Sequence, residues 1–171
     1  MAFKSTGSDV SSSFITAAAA DPDGVSTAAA VGNNAALTLG GALASGGSVT
    51  FDSPRNVTIL SGGDDSAISF TVAGTDESGT AATESITGAD TGTATGTKFF
   101  ATITSITAVG DPAGNVSAGS GTSIAGVISA SRCRLRGIYV VNGSGAATLK
   151  FREGSATVSY THLTLPTTSM V

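Results

Sequence analysis

The stretch Ala67–Gly74, "AISFTVAG", sets Ile68, Phe70 and Val72 on one side of the chain and Ser69 and Thr71 on the other. That is the two-residue period of a half-buried strand, because successive side chains of extended backbone point to opposite faces. A helix would keep Ile68 and Val72 together but turn Phe70 to the opposite side. The pattern recurs. "RNVTIL" puts Val57 and Ile59 on one face, and "NVSAG" is a further short run near residue 115. Breaks fall between the runs, with Gly40–Gly41, Gly46–Gly47 and the stretch Thr75–Gly79 carrying Asp and Gly. The last reads as a hairpin loop whose final residue is left-handed. Strands at intervals of about 8–12 residues predict an antiparallel sandwich.

Composition agrees. Charged residues make up 12% of the chain, against roughly 25% in an average soluble protein. Twenty-three glycines and no tryptophan suit short strands and tight turns. A disordered low-complexity chain is the alternative for so much Gly, Ser and Thr, and the regularly spaced Val, Ile and Phe argue against it. The fold class expected is therefore all-β: an antiparallel, Ig-like β-sandwich followed by a β-hairpin from a second, truncated β module. Residues 1–30 read as an N-terminal arm with one short strand, 31–127 as the sandwich domain and 128–157 as the start of the second module. Val57, Ile68, Phe70, Val72 and Ile103 should share one core, with Asp76 and Glu84 outside. "FFATITSITAV" is ambiguous: Phe99 and Ile103 share one parity, Phe100 and Ile106 the other. Either both faces are buried or a bulge switches them. "AGSGTSIAG" reads as a loop between modules, lacking the lysine and helix of a phosphate loop.

Charge is uneven. Residues 1–127 carry three basic residues against eleven acids, a balance of 3 − 11 = −8. Residues 128–171 carry five against one, 5 − 1 = +4. The five are Arg132, Arg134, Arg136, Lys150 and Arg152, on a hairpin pattern whose other face is Cys133, Leu135, Tyr139, Leu149 and Phe151. They form the candidate docking surface. No aromatic residues interleave with them as nucleic-acid contact would favour, so a solvated face or an acidic protein surface, including that of a neighbouring copy, is the preferred reading.

The ending "VSYTHLTLPT", Val158 to Thr167, reverse-translates to GTC TCT TAT ACA CAT CTG ACG CTG CCG ACG. That resembles the translation of a transposase adapter used in shotgun sequencing. Residues 158–171 are accordingly expected to be a non-native tail, with the natural chain cut near Ala156. The chain's single histidine, His162, falls in that tail. Without it, Ser-His-Asp and Cys-His catalysis has no base. The lone Cys133 excludes a cysteine zinc site. The carboxylates Asp64, Asp65, Asp76, Glu77, Glu84 and Asp90 leave a paired-carboxylate hydrolase or a calcium site open; their plainer reading is turns and solvated strand faces. No catalytic, cofactor-binding or metal residues are assigned, and no cofactor is expected. The N-terminus lacks a signal-peptide pattern and no apolar stretch is long enough to span a membrane as a helix.

Pro54-Arg55-Asn56-Val57, Gly74-Thr75-Asp76 with Gly79, Glu84-Ser85-Ile86 before Gly88, and Phe99-Phe100 followed by Ile103-Thr104-Ser105-Ile106 lie within Ser53–Gly121. This stretch resembles a domain that recurs in virion proteins of tailed bacteriophages. "SRCRLRGIYVVNGSGAATLKF" resembles the opening of a second β module in marine podovirus structural proteins. The resemblance implies a non-enzymatic virion component, such as a capsid decoration, head-fibre or tail accessory protein. It would be assembled in the host cytoplasm, with other virion proteins as partners and a homo-oligomeric state. The alternative it leaves is a module binding glycan or receptor on the host surface at a fibre or tail tip.

Overall fold

The computed structural model describes residues 18–126, all within the first of two units of the chain, Met1–Ser131. The 132–152 hairpin and the 158–171 tail lie outside the described residues. Among the described residues the protein is all-β, with eight strands and no helix. They are β1 (Asp21–Ala30), β2 (Ala44–Ser45), β3 (Ser48–Asp64), β4 (Ser69–Thr75), β5 (Ala81–Thr87), β6 (Asp90–Thr95), β7 (Phe100–Val109) and β8 (Asn115–Ile124). All pairings between them are antiparallel.

One strand organises the rest. β3 is 17 residues long, three times the usual strand length. Its first part pairs with β7 through Val49↔Ile103 and Thr50↔Thr102. Its second part pairs with β8 and β6, Thr58 facing Gly119 on one side and Thr95 on the other. The register breaks between Thr50 and Arg55 and again between Arg55 and Val57. β3 thus leaves one layer and enters the other at Ser53–Asn56. The layers are β5-β4-β7 with the start of β3, and β1-β8 with the end of β3 and β6. The result is an antiparallel, sandwich-like fold.

The alternation that suggested strands also places the core. Val49, Phe51, Val57 and Ile59 of β3 are buried, as are Phe70 and Val72 of β4, Ile86 of β5, and Val116 and Ala118 of β8. They form a single apolar cluster with Val25, Leu37, Phe100, Ile103, Ile106 and Ala108. Each Val, Ile or Phe fully withdrawn from water contributes about 1.5–3 kcal/mol. Ile68 only packs against the edge of this cluster.

The ambiguity in β7 resolves as a bulge. Ala73 pairs with Ser105, and the next residue, Gly74, pairs with Ile103, leaving Thr104 extra. That one residue resets the parity, so Ile103 and Ile106 both face inward although three apart. Gly74 is required there, since a Cβ would run into the Thr102 carbonyl oxygen, and glycine in a strand often marks such an approach. The Thr75–Gly79 loop is the hairpin turn the sequence predicts. Gly79 has φ of 77°, and Asp76 Oδ1 accepts hydrogen bonds from the Ser78 and Thr80 amides at 2.8 and 2.9 Å.

Three local readings change. The 1–30 stretch contributes β1, whose Val25 is fully buried. "AGSGTSIAG" is strand rather than loop as far as Ile124. Its small residues let β8 lie between β1 and β3, so Val116 to Gly121 are all buried. Glu84 pairs with Val72 on the inward parity. It is half-buried, and its carboxylate turns to the β6–β7 loop, accepting from the Thr97 amide at 2.6 Å and the Lys98 amide at 3.1 Å.

Candidate functional site

The bend of β3 carries the most concentrated polar chemistry among the described residues. Arg55 shares the inward parity of Val57 and Ile59 and is 2% exposed. A guanidinium withdrawn from water is costly unless its donors are met. Here they are. Nε donates to Asp52 Oδ1 at 3.1 Å and Nη2 to Asp52 Oδ2 at 3.3 Å. Nη2 also donates to the Ala18 carbonyl at 2.6 Å, and Nη1 reaches the Ala19 and Gly121 carbonyls at 3.4 and 3.5 Å. Asp52 Oδ2 in turn accepts from the Ala18 amide at 2.9 Å. That amide, then Arg55, holds the Asp52 carboxyl well below its ordinary range, at about 2.

Next to it, Asn56 is buried. Its Nδ2 donates to the Gly96 carbonyl at 3.4 Å and its Oδ1 accepts from the Ser123 amide at 3.1 Å. Two adjacent side chains of β3 therefore fasten the β6–β7 loop, the end of β8 and the segment leading into β1. Beside Arg55 lies a cavity of about 350 Å³ lined by Ala18, Ala19, Leu43, Phe51, Asp52 and Arg55 among others. Beside Asn56 is an open groove of about 290 Å³, lined by hydroxyl-bearing residues, Thr58, Thr93, Thr95, Thr122 and Ser123 among them, with more apolar than polar surface.

Of the carboxylates considered for hydrolysis or calcium, Asp65, Asp76 and Glu77 sit in turns, Asp64 and Asp90 at strand ends and Glu84 within β5. Asp64 Oδ1 accepts from the Ser66 hydroxyl at 2.7 Å and the Ser66 amide at 3.1 Å, and these bonds lower its pKa. Asp65 is fully buried; its Oδ1 accepts from the Ala113 amide at 2.8 Å and its Oδ2 makes no hydrogen bond. Asp76 and Glu84 bind the loop amides described above. Among the described residues no three acids, histidines or cysteines gather as metal ligands would. No helix there is long and apolar enough to cross a membrane.

The docking candidates Arg132, Arg134, Arg136, Lys150 and Arg152 lie outside the described residues. Sequence reasoning missed the Asp52–Arg55 pair, although the parity shared by Arg55 with Val57 was available. An arginine on the apolar side of a strand has to be paired, and Asp52 stands three residues away. Compared with known protein families, curated proteins and solved structures, the chain matches none.

Proposed function

We propose that the protein is a non-enzymatic structural component of a tailed-phage virion, such as a capsid decoration, head-fibre or tail accessory subunit. The observation that carries this reading is how charge is used. The carboxylates Asp64, Asp76 and Glu84 brace turns and loops, while five of the eight basic residues fall in residues 132–152. An acidic β body followed by a basic segment suits a subunit docked by that segment on an acidic protein surface, repeated so that weak contacts add. The resemblance of Ser53–Gly121 to phage virion domains supports it. Other virion proteins and further copies of the chain are its partners.

The test is particle occupancy. Replacing Arg132, Arg134 and Arg136 by Glu should strip the protein from purified particles while leaving its folded body intact, as read by circular dichroism and immunogold labelling. Undiminished labelling would remove the basic segment from the docking role.

A second reading, a glycan-binding module at a fibre or tail tip, is favoured by the open groove of threonine and serine residues beside Asn56. Hydroxyls can both donate to and accept from sugar hydroxyls. A glycan array separates the two readings: binding abolished by Thr93→Val with Thr95→Val supports the second.

A further inference from the structure

The Asp52–Arg55 pair treats Ala18 as a neighbouring strand would. Asp52 accepts the Ala18 N–H and Arg55 donates to the Ala18 C=O, so both main-chain groups of one residue are read by two side chains. Arg55 adds the next carbonyl, that of Ala19. None of these bonds involves a side chain of the held segment. The cavity beside it shows that two methyl groups leave space against Leu43 and Phe51.

The held segment is also separable from the rest of β1. Asp21 pairs with Ser120, the register breaks before Ser26↔Ala118 and again after it, and regular pairing resumes only at Ala29↔Val116 and Ala30↔Asn115. Pro22 and Asp23 between them are exposed. Residues 18–21 can therefore leave without unzipping the regular pairing at Ala29–Ala30.

We propose that Asp52 and Arg55 form an acceptor site for an extended peptide backbone with small side chains. Its occupant in an assembly is the segment around Ala18–Ala19 of a second copy, exchanged for the chain's own segment that the site holds in this structure. Exchange of an identical element between copies adds no new contact chemistry and is a low-cost route to association. In a repeating assembly this would link neighbours through a site built into the bend of β3. The inference stands on the clamp geometry and does not depend on the virion reading.

The test uses the full chain with Ala18→Pro, which deletes the amide that Asp52 accepts and unseats the segment without altering the clamp. The probe is a fluorescent peptide of residues 11–22, followed by anisotropy. The peptide should bind the Ala18→Pro chain. Binding to the unaltered chain should be weaker by roughly tenfold or more, because a tethered segment competes at high effective concentration. Adding Asp52→Ala should abolish binding; because this also removes the carboxylate paired with buried Arg55, circular dichroism must first show that the variant is folded. Arg55→Lys, which keeps the charge and loses the fork, should do the same. No binding to a folded Ala18→Pro chain, equal binding to the unaltered chain, or binding indifferent to Asp52→Ala would each overturn the proposal.

Discussion

Phe70 and Thr91 mark the two ways a single residue matters here. Phe70 has no exposed surface and sits in the common core. Phe70→Ala should cost about 3–5 kcal/mol, measured by urea denaturation; a loss under about 1 kcal/mol would mean that the face is misassigned. Thr91 has φ of 42°, a conformation that disfavours β-branched residues. Left-handed backbone costs an L-residue roughly 1–2 kcal/mol, and the greater freedom of unfolded glycine takes back about 0.5–1. Thr91→Gly should therefore raise stability by up to about 1.5 kcal/mol, and a loss would show that the Thr91 side chain holds the register break in β6. Core residues such as Val57, Phe70 and Val72 were legible because burial follows parity. Glu84 was not, because a carboxylate on the inward parity of an edge strand can turn to the amides of a neighbouring loop, which no alternation rule anticipates. Thr91 was equally hidden, since nothing in "ADTGTA" says which residue takes the positive φ.

Among the elements, β7 and the segment before β1 carry the sharpest expectations. Gly74→Ala places a Cβ against the Thr102 carbonyl. Crowding of this kind typically costs about 1–3 kcal/mol, and thermal denaturation should show it; a neutral result would mean that the bulge at Thr104 relaxes. The sequence offered two explanations for "FFATITSITAV", and the pairing of Gly74 with Ile103 selects the bulge. Gly and Ser make the end of β8 look like loop in the sequence, whereas here they admit two close neighbours. The segment around Ala18 is tied to the ionisation of Asp52. Its folded pKa of about 2 is below the ordinary 3.8. The contribution is therefore fully present above about pH 4 and is lost as pH falls through about 2. Hydrogen exchange at the Ala18 amide should accelerate across that window relative to an amide of β4. An unchanged ratio between pH 4 and 2 would contradict the role of Asp52.

For the whole molecule, topology was the least legible level. Period-two patterns name strands and not their partners. That β3 crosses between layers follows from register breaks around Pro54–Asn56, and that β1 pairs with β8 joins Asp21 to Ser120. The charge division was plain from the sequence, and the central claim rests on it: an acidic β body carried on a virion by a basic segment. The most direct measurement is quantitative peptide mass spectrometry of virions banded on a density gradient, from a phage carrying the gene. The tryptic peptides Asn56–Lys98 and Phe99–Arg132 should co-band with the major capsid protein in a fixed ratio across gradient fractions. Their presence only in the soluble lysate, with none in the particle band, would contradict the account.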